Sequence, residues 1–173
     1  MSAGFLEVRT VKVLNREQFL PFFELCFREE YLVSLGYNFS DPNSILETEC
    51  LESILPSKDQ LMFEAVTQND TVVGTGVGGE RNNRFYVWGL YILPTFQRMG
   101  VGTKIMTALC NSAPPNSFLE VQVLRESNKA QQFYKRFGFV TFHSSAEEVF
   151  PNVNLMTDFM GCSVTSLRET LLV

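Results

Sequence analysis

The chain is poor in the residues that several common chemistries require. Among 173 residues it has one histidine, His143, and four cysteines, Cys26, Cys50, Cys110 and Cys162, with no C-x-x-C pair and no histidine near any of them in sequence. Zinc sites and disulfide frameworks are built from such pairs, so neither is indicated; the cysteines read as reduced core thiols, and no metal is expected. Positive charge is also scarce: 14 Lys and Arg stand against 19 Asp and Glu, a net charge of -5 at pH 7. A nucleic-acid backbone needs clustered cations, so nucleic acid is excluded as an expected partner, and the acidic field weakly favours a cationic one. No apolar run approaches the about 20 residues of a membrane span, and MSAGFLEVRTVKVL has no basic segment followed by an apolar one. A cytoplasmic protein with no membrane partner is the expectation. Repeats, low-complexity tracts and Ser/Gly-rich linkers are missing too, and a 45% hydrophobic chain of this length suffices for one core. A single domain over residues 1–173 is expected.

What is present reads as a β-meander followed by β-α-β-α-β. FLEVRTVKVL alternates like a strand, and the next segment places Phe19, Phe22, Phe23, Phe27 and Tyr31 at helical spacing, as core or as substrate wall. Pro21 falls inside that pattern, so the helix starts or kinks there. A second helix is expected over residues 42–54. QLMFEAVTQ and TVVGTGVGG flank Asn69 and Asp70 as a hairpin, and RFYVWGLYI supplies a third consecutive strand. A helix in TKIMTALCN, a strand FLEVQV, a helix SNKAQQFYKRF closed by Gly138, and strands near FVTFHS and VNLMTDFM complete the order. In the tail, residues 161–173, Val164, Leu167 and Leu171 share one helical face, to be buried on their own domain or against a second copy.

Two glycine stretches compete for an anion. GTGVGG, residues 74–79, fits the dinucleotide pattern G-x-G-x-x-G, but that pattern works only where a strand ends in the glycines and a helix begins from them. Here another strand comes a tight turn later, so these glycines read as places where a strand bends or lies against something bulky. QRMGVG, residues 97–102, meets the test. It comes after an apolar strand and Pro94 and precedes a helix, so it is either a phosphate site or a plain connector; Arg98 adds a cation.

These residues resemble the GNAT superfamily of acyl-CoA-dependent N-acyltransferases. The signature [QR]-x-x-G-x-[GA] stands here as Gln97, Arg98, Met99, Gly100, Val101 and Gly102, with Met99 where a basic residue is common. LEVQVLRESNKAQQFYKRFGF is similar to the family's second block, with Asn128, Tyr134, Gly138 and Phe139 in register. Together the blocks cover about residues 85–142. The resemblance implies an α+β fold with a mixed, mostly antiparallel sheet of about seven strands flanked by helices and splayed between strands 4 and 5. Gly89 fits a bulge at that splay. Acetyl-CoA is the implied acyl donor, its pantetheine arm on the main chain near Leu90 and Ile92, its pyrophosphate on Gln97, Arg98, Met99, Gly100, Val101, Gly102 and Thr103, and Asn128 near the arm.

The implied activity is acetyl transfer to a primary amine by direct attack in a ternary complex. That reaction needs a neutral amine, a stabilised oxyanion and a proton for the leaving thiolate. Tyr134, with a reference pKa of about 10, is protonated at neutral pH and suits the last task, or it is a core aromatic. Glu120, opposite in strand phase to Leu119 and Val121, suits a base acting through water, or it is an exposed carboxylate. Glu80 is a weaker base, and His143 reads as a strand residue. The acceptor, a small molecule such as a polyamine, amino acid or antibiotic, or a protein N-terminus, is left open, as is monomer against homodimer. The alternative is an acyl-CoA-binding module without catalysis.

Overall fold

The computed structural model describes residues 6–13, 15–36, 56–150 and 152–171. Strands β1 (Glu7–Thr10), β2 (Leu61–Val66), β3 (Val72–Arg81), β4 (Arg84–Ile92), β5 (Phe118–Leu124), β6 (Val140–Phe150) and β7 (Val153–Ser163) form one sheet in the order β1-β2-β3-β4-β5-β7-β6. Neighbours are antiparallel except β4 and β5, which are parallel. The mixed seven-stranded sheet matches the expected fold class. β1 is shorter than the alternation of FLEVRTVKVL suggests, and the helix expected over residues 42–54 lies outside the described residues.

Turn chemistry accounts for the meander. Asn82 and Asn83 both have positive φ, +51° and +61°, in the two-residue loop between β3 and β4, the arrangement that matches strand twist. Asp70, φ +57°, turns the chain between β2 and β3, where its N–H donates to Thr67 O at 3.0 Å. Successive strand residues point to opposite faces, and the core divides accordingly. Phe63 and Ala65 of β2 join one cluster, while Met62 and Val66 join the other.

Helix α1 (Arg16–Phe27) covers the second cluster and continues as a π-helical segment, Arg28–Ser34. Asn15 starts α1 by accepting from the Gln18 N–H at 3.3 Å, so Pro21 sits inside the helix and does not begin it. Phe19, Phe22, Phe23 and Phe27 are buried against the sheet, and Tyr31 lines a large cavity. On the other face lie α2 (Val101–Ser112), α3 (Asn128–Arg136) and α4 (Val164–Leu171).

The row Gly74, Gly76 and Gly78 explains how α2 reaches the sheet. A Cβ on Gly76 would stand 2.5 Å from Ile105 Cγ2, and one on Gly78 would stand 2.9 Å from Leu109 Cδ2. GTGVGG is therefore a packing surface in β3, as its strand context predicted. In α4, Val164 and Leu167 are fully buried on their own domain, and Arg168 Nη2 donates to Cys110 O and Ala113 O, both at 3.2 Å, at the end of α2. Among the described residues, no helix is long and apolar enough to cross a membrane.

Candidate active site

The site begins where a ladder stops. β4 and β5 pair only at Phe85 with Leu119, Tyr86 with Glu120 and Val87 with Val121. Gly89 comes next at φ +59°, a conformation costly for other residues, and the β3–β4 register shifts beside it, between Thr75 and Val77. The buried Thr75 hydroxyl donates to Gly89 O at 3.0 Å and fixes the bulge. Beyond it the two strands line a cavity of about 1190 Å³, with Leu90 and Ile92 on the β4 side and Gln122 and Val123 on the β5 side.

At one end of the cavity stands the N-terminus of α2. Gly100 precedes it at φ +79°, with no side-chain cap, so the first-turn amides have no intrahelical partner and the positive end of the helix dipole faces the cavity. A Cβ built on Gly100 meets nothing within 4 Å, so the turn holds open space. Gln97, Arg98, Gly100, Val101, Gly102 and Thr103 all line the cavity; Met99 does not and is exposed. Gly102 also has a packing reason to be glycine. Its place is helical, and a Cβ there would approach Phe133 to 3.2 Å, so it lets α2 and α3 come close. Gln97 Nε2 donates to Ile92 O at 3.3 Å, tying the loop to the end of β4. Arg98 has φ +65°, a strained conformation for a residue with a side chain.

A second cation, Arg136, lines the same end, with Nη2 3.4 Å from Thr103 Oγ1 and its guanidinium 4.8 Å from the Phe137 ring centre. Sequence reasoning does not find it. It falls between the matched Tyr134 and Gly138, and only the packing of α3 on α2 brings it to the loop.

Tyr134 lines the cavity while 8% exposed, its ring edge-to-face with Phe133 at 5.3 Å and tilted on Phe139 at 5.3 Å. Burial, with a smaller contribution from Tyr86, pushes its hydroxyl well above the ordinary tyrosine value. Glu120 lies elsewhere. Its Oε2 accepts from Arg84 Nη1 at 2.6 Å, and with Arg81 and Phe159 it lines a smaller cavity of about 350 Å³. Tyr86 and Gln122 line both cavities, so one side-chain layer separates Glu120 from the opening.

Asn128 is exposed at the first position of α3, between the lining residues Ser127 and Lys129. The residue preceding the helix is Ser127, not Asn128, and its hydroxyl bonds Glu30 in the π-helical segment. Glu80 and His143 are exposed and line neither cavity. Glu29, Glu30, Glu147 and Glu148 also line the large cavity, together with Tyr31 and Lys129. Among the described residues there is no group of His, Cys, Asp and Glu that could hold a metal ion.

Residues 19–139 match the acetyltransferase (GNAT) family. Over 80 residues the chain is 35% identical to a protein described as the probable N-acetyltransferase san of Drosophila melanogaster, 41% of this chain and 42% of that one; the match thus spans about two fifths of the relative. Solved structures share the fold. The ribosomal-protein-S18-alanine N-acetyltransferase of Escherichia coli superposes with a TM-score of 0.63 at 14% identity, over 93% of this chain and 95% of that one. A spermidine N-acetyltransferase from Vibrio cholerae gives 0.62 at 16% identity, over 94% and 95%.

Proposed function

The chain belongs to the GNAT acetyltransferase family, and from that membership we propose that it transfers an acetyl group from acetyl-CoA to a primary amine by direct attack while both substrates are bound. The observation that carries this reading is the cavity opened by the failure of β4 and β5 to pair beyond Val87 and Val121, with an uncapped helix N-terminus at one end and Tyr134 in its wall.

The residues fit such a donor. Open space at Gly100, the first-turn amides of Val101, Gly102 and Thr103, and the cations Arg98 and Arg136 suit a pyrophosphate. Gln97 holds the loop, while Met99 and Asn128, both exposed and outside the cavity lining, could meet the donor only at its rim. The β4 main chain near Leu90 and Ile92 offers strand-like partners to an amide arm. The donor supplies an activated acyl carbon and a thiolate leaving group. The amine nitrogen bonds that carbon, the carbon–sulfur bond breaks, and the Tyr134 O–H gives its proton to the sulfur. Low dielectric raises the pKa of the tyrosine and of a thiol departing beside it alike, so burial need not turn this transfer uphill. Glu120 accepts the proton that the amine loses, through water past Tyr86 and Gln122.

Four glutamates in the cavity lining, Glu29, Glu30, Glu147 and Glu148, favour a cationic acceptor, either a small amine or a protein N-terminus. The two structural relatives are named for an alanine of a ribosomal protein and for spermidine, so the fold alone does not choose between them. Cys26, Cys110 and Cys162, buried and free, suit a reducing cytoplasm.

The test is free-thiol release on mixing the protein with acetyl-CoA and either spermidine or a peptide with a free α-amine. Tyr134→Phe keeps the ring and removes the hydroxyl. Turnover should fall roughly 10- to 10^4-fold, with little change in acetyl-CoA KM, and less for a more activated thioester. Unaltered turnover would return Tyr134 to the core. One observation favours the second reading, a non-catalytic acyl-CoA-binding module: Arg84 already engages Glu120. Stabilisation by CoA with no thiol release on any amine would establish that reading.

A further inference from the structure

Asp158 lies in β7 between Val123 of β5 and Ser144 of β6, and its side chain is only 12% exposed. It gathers donors from both sides of the strand and from the helix above. Arg125 reaches Oδ1 through Nε at 3.1 Å and Nη2 at 2.8 Å, and the Ser144 hydroxyl reaches the same oxygen at 2.7 Å. Gln131 of α3 donates to Oδ2 at 3.2 Å through its amide. A carboxylate taken out of water is costly unless its lone pairs are met, and these four bonds meet them.

Gln131 and Tyr134 are the buried residues of α3, three positions apart and so on one face of the helix. Neither Asp158 nor Gln131 lines the large cavity, and the acyl-transfer chemistry uses neither. β5, β6 and β7 are already joined by ladders that pair Asp158 on both sides, so what the cluster adds is the helix. Among the described residues, the other side-chain hydrogen bonds of α3 run from Lys129 to Ser34 and from Arg136 to Thr103, both outside the sheet.

We propose that Asp158 is a positioning residue for acetyl transfer: through Gln131 it fixes the rotation of α3, and thereby the place of the Tyr134 hydroxyl at the opening between β4 and β5. The proposal rests on the reading of Tyr134 as proton donor. A structural role alone predicts loss of stability and no special relation to Tyr134. A positioning role predicts that the loss runs through that hydroxyl.

The experiment is a double-mutant cycle on the full chain. Asp158→Ala should lower kcat about 10- to 100-fold with little change in acetyl-CoA KM, the scale on which a small misplacement acts. In a Tyr134→Phe background the same change should lower kcat no further. Asp158→Asn should recover most of the loss, since Gln131 can turn its amide to meet the new side chain. In the free protein, main-chain amides of residues 129–134 should exchange faster in Asp158→Ala than in the native chain, while those of β5 and β7 keep their protection. Gln131→Ala removes only the helix bond and repeats the cycle should Asp158→Ala fail to fold. Multiplicative losses, an unchanged kcat, or unaltered exchange in α3 would overturn the proposal. Full turnover in Tyr134→Phe alone would instead sink the proton-donor reading on which it stands.

Discussion

Burial keeps the Tyr134 hydroxyl protonated beyond the usual tyrosine range near 10. A raised pKa preserves the acid form, so the rate should show no falling limb from loss of this donor up to about pH 10. The rising limb should belong to the acceptor. An α-amine near 8 is partly neutral at pH 7, whereas a lysine or polyamine amine near 10.4 is almost wholly charged. Rates measured from pH 6 to 10 with each acceptor check both statements, and a fall near pH 9 that vanishes in Tyr134→Phe would contradict the first. If the rise is the same in Glu120→Gln, the amine titrates in solution and Glu120 is not its base. Gly100 separates two effects at the loop. Its φ of +79° disfavours any side chain, and a Cβ would enter the open turn. Gly100→Val should cost CoA at least tenfold in affinity with the fold retained, as about 1.4 kcal/mol of lost anion contact requires. Gly100→Asn, which tolerates positive φ, should weaken binding through occupation of the turn alone. Calorimetric titration with CoA reads both, and native affinity in Gly100→Val would refute the cradle.

At the scale of elements, α2 does two tasks, one with its first turn and one with its flank. Its N-terminus faces the cavity, and its flank lies on the glycines of β3. Gly76→Ala drives a methyl against Ile105 Cγ2, next to that residue's own Cβ, so the helix must shift. Overpacking of this kind costs about 1–3 kcal/mol, a loss of several degrees in Tm for a chain of this size. CoA affinity of the folded variant should stay close to native; its selective loss would transfer the phosphate site to GTGVGG. Sequence alone separates the two glycine stretches because the distinction is local: the element after the glycines, a strand or a helix, is written beside them. It also carries the meander, the bulge at Gly89 and the aromatic face of α1. The start of α1 stays open in the sequence between Pro21 as a boundary and Pro21 as an interior residue, because Asn15, the residue that caps the helix, is an ordinary polar residue. Ser127 and Asn128 are both residue types that can stand before a helix, so the sequence does not say which of them precedes α3; it is Ser127. Arg84 on Glu120, Arg136 at the loop and the donors on Asp158 join residues far apart in the chain, through strand register and helix packing that no local pattern fixes. For Asp158 one trace exists: an acid in strand phase with the buried Met160 and Cys162.

For the molecule as a whole, the sheet is two sheets joined at three paired positions, β1 to β4 on one side and β5 to β7 on the other. A ligand that fills the gap and binds both sides should stabilise the chain through the join. At 100 times its dissociation constant CoA should add about 2.7 kcal/mol, a rise in Tm of roughly 5–10 °C for a domain of this size. Scanning calorimetry with and without CoA measures it, and no shift would remove the donor site altogether. The same join has a consequence during synthesis on the ribosome. β4 emerges before α2, and β5 only after it, so for a few seconds at about 5–20 residues per second the outer edge of β4 has no neighbour. An unpaired edge is a template for a wrong strand from another nascent chain. The left-handed Gly89 breaks that edge into two short lengths, and the part beyond it, where Leu90 and Ile92 lie, is still without a strand when the chain is finished. The irregularity that admits a ligand in the mature protein thus guards the unfinished one against aggregation.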